Sequence, residues 1–140
     1  MANTLMIDTN VILDVFQKRE PHFDNSKKVL VACANNDIKG VVSPNSICDI
    51  FYIYHGYCHD KEKTYGVIGQ LLQIVGVAPL MGIDIYKAYD NRSDDFEDSV
   101  IAEVAKASNC DGIITRDKEG FKDAGIMIYT PKEAVEAFNI

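Results

Sequence analysis

Short apolar runs alternate with longer amphipathic segments along the chain, and this alternation limits the possible folds more than any other feature. The runs lack the apolar–polar alternation of half-exposed strands, so they predict strands buried on both faces, as in parallel sheets. Predicted strands cover residues 4–8, 38–43, 76–80, 112–115 and 125–130. Predicted helices cover residues 12–17, 23–35, 44–57, 60–75, 83–91 and 93–108, and a closing helix begins at 131.

Strands that alternate with helices predict an α/β fold with a mainly parallel sheet of about five strands and helices on both faces. The chain has 140 residues. That length suffices for one domain with a core of its own but hardly for two, so we expect a single domain over residues 1–140.

Composition and charge exclude several classes of protein. The net charge of −7 argues against plain electrostatic binding of nucleic acid. Asp8, Asp14 and Asp49 interrupt the best candidates for a membrane span, and the N-terminus lacks the pattern of an export signal, so a cytoplasmic protein is expected. The four cysteines form no CxxC pair and lie in apolar segments, which predicts buried thiols rather than a zinc site.

Carboxylates occupy the positions where several predicted elements end or begin. Asp8 closes the first strand in "LMIDTNVILD", and Asp117 follows the fourth strand in "IITRD". Asp98 lies in the first turns of the helix before that strand, and Asp49 lies inside the apolar stretch "SICDIFYIY". Sites in open parallel sheets collect at the carboxyl ends of the strands, so these acids could converge at one edge.

Carboxylates held close together repel one another, and a divalent cation bound between them neutralises this repulsion. Oxygen-only ligands suit Mg²⁺ or Mn²⁺, and such a site favours phosphodiester hydrolysis. Taken singly, each acid has an ordinary explanation. Asp8 could cap a helix, Asp98 could belong to a charged first turn with Asp95, Asp117 could be a turn residue, and Asp49 could face solvent.

Three motifs together resemble the PIN-domain family, the ribonuclease domains typified by VapC-type toxins of bacterial toxin–antitoxin pairs. They are "LMIDTNVILD", "SPNSICDIFYI" and "DFEDSVIAEVAKASNCDGIITRDKEGF", and the resemblance extends to the ending "YTPKEAVEAF". It implies a three-layer α/β/α sandwich and cleavage of RNA that depends on Mg²⁺ or Mn²⁺. As the toxin of a type II pair, the protein would have an RNA substrate and a cognate antitoxin as partners.

By motif, the resemblance implies that Asp8, Asp49, Asp98 and Asp117 are the catalytic acids. Asp8, Asp98 and Asp117 would bind the metal. Asp49 stands where these toxins usually have glutamate, and its shorter side chain would act through a water. Asn10 and Thr115 match polar positions that support such a site, and Arg116 could contact a phosphate or be a solvated loop residue.

Other polar and aromatic residues are expected outside the site. Asp14 is expected to cap a helix or face solvent, and Glu97, adjacent to Asp98, to point to a different helix face. Asp94 and Asp95 are also left out, and His22, His55 and His59 are expected to be surface or partly packed residues. The aromatic residues Phe51, Tyr52, Tyr54 and Tyr57 predict one face that packs inward and another that meets a partner, and PIN domains often form homodimers.

Two alternative functions stay open. A Mg²⁺-dependent phosphatase of the haloacid-dehalogenase pattern needs a second aspartate two residues after the first, where this chain has Asn10. A PIN fold without catalysis could instead bind RNA or a protein.

Overall fold

A five-stranded parallel sheet forms the centre of the computed structural model, which describes residues 2–140. The strand order is β3-β2-β1-β4-β5, and every neighbouring pair is parallel. The strands are β1 (Thr4–Ile7), β2 (Lys39–Val42), β3 (Gly76–Val77), β4 (Gly112–Ile114) and β5 (Ile128–Tyr129). The helices are α1 (Thr9–Phe16), α2 (Phe23–Ala34), α3 (Pro44–Cys58), α4 (Lys61–Ile74), α5 (Gly82–Asn91), α6 (Phe96–Ala107) and α7 (Pro131–Ala137), with a 3₁₀ turn at Glu119–Phe121.

Side chains of the central strand point alternately to two separate hydrophobic cores. Leu5 and Ile7 of β1 pack into a core formed with helices α1 to α4 and α7. Met6 packs into a second core formed with α5 and α6. Successive residues of a strand face opposite sides of the sheet, so each core lies on one face. This arrangement is the predicted three-layer α/β/α sandwich, which is confirmed.

Two helix starts differ from the prediction because an aspartate caps each helix. Helix α1 begins at Thr9 rather than at residue 12, since the Asp8 carboxylate accepts a hydrogen bond from the Thr9 amide directly after β1. Helix α6 begins at Phe96 rather than at residue 93, with Asp95 as its N-cap. As a result, a carboxylate lies at the start of each of these two helices.

The two edge strands are shorter than predicted. Strands β3 and β5 span two residues each, although their apolar runs are longer. Each has a partner on one side only, and such edges are often short in natural sheets.

The prediction of buried thiols is wrong for part of the set. Cys33 is buried, Cys58 and Cys110 are half-buried, and Cys48 is exposed on α3. The apolar neighbours of Cys48 in the sequence lie on other sides of its helix, since successive helical residues do not share a face. Within residues 2–140, no helix is both long and apolar enough to cross a membrane.

Candidate active site

Asp8 lies at the carboxyl end of β1 and is 5% exposed. Its carboxylate accepts hydrogen bonds from the Thr9 amide at 2.8 Å, the Thr115 hydroxyl at 2.7 Å and the Asn10 side-chain amide at 3.2 Å. Burial raises the pKa of Asp8, while the bonds from Thr115 and Thr9 act in the opposite direction. The carboxylate is therefore fixed in position and nearly removed from water.

Thr115 connects Asp8 to the loop that follows β4. Its side chain is fully buried, and its oxygen also accepts a hydrogen bond from the Asp117 amide at 3.0 Å. Asn10 makes a second link, since its side-chain oxygen accepts the Arg116 amide at 3.2 Å. Strands β1 and β4 are neighbours, with Ile7 beside Ile114, so both loops leave the sheet at the same edge.

Asp95, Asp98 and Asp117 bring carboxylate oxygens within 4.8 Å of one another. Asp95 was expected outside the site, whereas the structure places its carboxylate beside those of Asp98 and Asp117. As the N-cap of α6, it accepts the Asp98 amide at 3.0 Å, and this contact brings the two carboxylates together. The sequence indicates this contact in "DFED", where Asp95 is the cap residue and Asp98 is the third residue of the helix.

Gly120 closes one side of this acid cluster. Its amide donates to Asp117 at 3.2 Å, and a Cβ at this position would collide with the carboxylate oxygens of Asp98 and Asp117. Only a residue without a side chain leaves the acids in this arrangement.

The pKa of Asp98 is raised to about 8. Burial is the largest cause, followed by the negative charges of Asp8, Asp95 and Asp117. The charge of Asp8 therefore acts on the cluster. Its oxygens do not belong to the group formed by Asp95, Asp98 and Asp117.

Glu97 is exposed and meets Asp49 on α3, outside the group of converging oxygens. A side-chain hydrogen bond with Asp49 is the main cause that raises the pKa of Glu97 to about 7, followed by burial and the negative charges of Asp49, Asp95 and Asp8. Asp49 is half-buried on α3, beside Glu97 rather than among the converging oxygens.

Asp14 is fully buried and was wrongly expected to cap a helix or face solvent. Its oxygens accept Arg116 Nε at 2.7 Å and Nη2 at 3.1 Å, and the Ser26 hydroxyl donates at 3.1 Å. Arg116 is therefore not a freely solvated loop residue, because its guanidinium holds the loop after β4 against α1. A contact between Arg116 and a phosphate stays a prediction.

The donor set of the cluster suits a hard divalent cation. All three converging groups are carboxylates, and Mg²⁺ and Mn²⁺ prefer oxygen ligands. The space that a Cβ at Gly120 would fill lies against the same oxygens. Among residues 2–140, none of the three histidines belongs to a group of side chains close enough to hold a metal ion together.

Thr115→Val should weaken Mn²⁺ binding by roughly 10- to 100-fold, since it removes a hydroxyl that orients Asp8 and the Asp117 backbone. Thr115→Ser keeps the hydroxyl and should bind nearly as the parent does. Titration calorimetry with Mn²⁺ measures both. Equal affinities for the parent and Thr115→Val would contradict the role of this hydroxyl.

Without metal, the free energy of unfolding should fall as the pH rises from about 4 to about 8. The pKa of Asp98 lies above its ordinary value of 3.8, so the folded state binds this proton more tightly and loses that advantage as the pH passes through about 8. Asp98→Asn should show a shallower fall and a higher melting temperature at pH 8. Denaturation in EDTA over this pH range measures the free energy of unfolding, and Asp37→Asn, in an exposed turn, is the control. Identical pH profiles for the parent and Asp98→Asn would refute the role of Asp98.

A sequence profile of the PIN domain family matches residues 4–119. The ribonuclease VapC1 of Aquifex aeolicus (strain VF5) is 26% identical over 143 residues, which cover 99% of this chain and 97% of that protein.

Solved structures with the same fold come from several bacterial toxin–antitoxin systems. VapBC2 from Rickettsia felis, bound to a DNA fragment from its promoter, superposes with a TM-score of 0.69 at 18% identity, covering 91% of this chain and 98% of that one. The sarcin–ricin-loop-cleaving toxin VapC20 of Mycobacterium tuberculosis gives a TM-score of 0.67 at 14% identity, covering 88% and 96% of the two chains. With the profile match over most of its length, the chain belongs to the PIN domain family, as its motifs indicated.

Proposed function

We propose that the protein is a metal-dependent endoribonuclease and the toxin of a type II toxin–antitoxin pair. The observation that carries this proposal is the convergence of Asp95, Asp98 and Asp117 beside the buried Asp8 at one sheet edge. The similarity to a VapC ribonuclease over nearly the whole chain supports the choice of RNA as substrate.

Asp95, Asp98 and Asp117 are the proposed direct ligands of Mg²⁺ or Mn²⁺, and Asp8 completes the site from the end of β1. When bound, the cation would polarise a phosphate oxygen and lower the pKa of a water molecule, which favours phosphodiester hydrolysis. Asp8, held by Thr115 and Asn10, would fix the negative charge of the site in one orientation.

Asp49 and Glu97 are the proposed proton-handling pair. The pKa of Glu97 is raised to about 7, so its carboxyl group can hold or release a proton near neutral pH. Asp49 would act through Glu97, its hydrogen-bonded partner, and not through direct contact with the metal.

Purified protein should cut single-stranded or structured RNA in Mg²⁺ or Mn²⁺, and EDTA should stop the reaction. Asp8→Asn should lower the rate by on the order of a hundredfold or more, because charge stabilisation by a metal ion is worth several kcal/mol. Asp37→Asn, which removes an exposed carboxylate outside the site, should cut like the parent. Gel analysis of labelled RNA measures all three.

The same assay separates the alternative functions. If Asp8→Asn cuts as fast as the parent, the activity belongs to a contaminant or the assigned site is wrong. Hydrolysis of a generic phosphate ester without RNA cleavage would favour a phosphatase. Metal-independent RNA binding without cleavage would favour a binding module.

A cognate antitoxin and a second copy of the chain are the proposed protein partners. The solved structures with this fold come from toxin–antitoxin systems, which supports an antitoxin as partner. On α3, Tyr54 packs inward while Tyr52 is 75% and Tyr57 is 59% exposed, as expected for a helix with a second, partner-binding face.

Tyr52→Glu should convert a homodimer to a monomer, since it places a charge on this exposed aromatic face. Light scattering after gel filtration measures the mass, and Glu62→Gln on α4 serves as a surface control. A parent protein that is monomeric at every tested concentration would contradict the homodimer.

A further inference from the structure

A cavity of about 250 Å³ opens beside the acid cluster, between α5, α6 and the 3₁₀ turn. Asp98 lies in its wall, so one ligand of the proposed metal is shared between the two sites. Ser93, Gly120 and Lys122 line both this cavity and the adjoining groove that contains Asp95 and Asp117. A strand of RNA at the acids would therefore pass the mouth of this cavity.

The lining of the cavity contains a fixed hydrogen-bond acceptor. Glu103 is 7% exposed and accepts Lys106 Nζ at 2.7 Å and the Asn91 side-chain amide at 3.1 Å. Both contacts use Oε2, and Oε1 takes part in neither. Burial acts to raise the pKa of Glu103, but the bonds from Lys106 and Asn91 outweigh it and lower the pKa, so the group is an ionised acceptor.

A flat cationic group lies at the same cavity. The guanidinium of Arg92, which lines it, is 4.4 Å from the centre of the Tyr89 ring and donates to the Tyr89 hydroxyl at 3.2 Å. Single-stranded RNA bases commonly stack on aromatic rings and on arginine planes. Arg92, which packs on the Tyr89 ring, therefore supplies a stacking surface in the same cavity lining as Glu103.

The charges of the lining select against an anionic ligand. Asp94, Asp98, Glu103 and Asp123 face the cavity, against Arg92 and Lys122. A phosphate there would meet an excess of negative charge, whereas a neutral planar base would not.

Resting on the proposed endoribonuclease function, we propose that this cavity receives one base of the RNA strand, beside the phosphate at the acid cluster. Glu103 accepts the exocyclic amino group of that base and so favours adenine, cytosine or guanine over uracil. Carboxylates read amino groups of bases in this way in other nucleic-acid complexes. The cavity thus determines the sequence preference, and the acids carry out the cleavage.

The test is the sequence pattern of cleavage in a pool of randomised single-stranded RNAs in Mn²⁺. The parent should disfavour uracil at one fixed position relative to the cut, by on the order of tenfold. Glu103→Gln, which replaces the carboxylate by an amide that both donates and accepts, should remove most of this discrimination. Glu136→Gln is the matched control: it makes the same change at an exposed glutamate on α7, outside the cavity, so it should retain the preference.

A surface variant gives a second readout that does not depend on the buried glutamate. Arg92→Ala should raise KM by on the order of tenfold through lost stacking, while Lys61→Ala on α4, a matched loss of positive charge, should not. With an abasic nucleotide at the discriminating position, the parent, Glu103→Gln and Arg92→Ala should all cut alike.

The outcomes separate this inference from the function on which it rests. If the parent cuts RNA but shows no preference at a fixed position, or if Glu103→Gln keeps the parent pattern, the base site is wrong and the nuclease function stands. If Glu103→Gln and Arg92→Ala cut like the parent but lose binding to the antitoxin, the cavity is a protein-docking site and the inference is overturned. If the parent cuts no RNA in either metal, the proposed function fails and the inference fails with it.

Discussion

The hydrogen bond from the Thr115 hydroxyl to Asp8 is the contact on which the arrangement of the site depends. Parallel pairing of β1 with β4 brings the ends of both strands to one edge, but it does not fix the side chains beyond them. Thr115 does so, because a single buried oxygen donates to Asp8 and accepts from the backbone of Asp117. The positions of the two loop acids are thereby coupled.

Concentrating carboxylates at this edge costs stability, and burial is the largest single cause of that cost. For both Asp8 and Asp98, removal from water is the largest cause of the raised pKa, ahead of neighbouring charges. Such a cost is expected at a cation site. Carboxylates that repel one another without metal become its ligands when a divalent cation binds. Asp14 is the contrasting case, since this buried carboxylate is paired with Arg116.

The sequence predicted the layers and the sheet well because parallel strands buried on both faces have a clear apolar pattern. It also placed Asp8 and Asp117 after the two strands that prove to be neighbours. It did not predict the contacts of Asp95 or Asp14, although "DFED" has the spacing of a helix cap. The Asp95 contact depends on where α6 begins, and the Asp14 contact depends on where the Arg116 side chain lies. Helix starts are set by cap contacts of one residue, and a pattern of several residues does not resolve them.

The central claim is that the acids at this edge bind a divalent cation, and anomalous diffraction from crystals grown with Mn²⁺ tests it most directly. We predict one strong peak among Asp95, Asp98 and Asp117, with Asp8 beside it, and metal–oxygen distances of about 2.1 Å, typical of a hard cation held by carboxylates. The same peak should be absent from crystals of Asp98→Asn. A parent crystal with no peak at these residues, or with Mn²⁺ bound only elsewhere on the surface, would contradict the account.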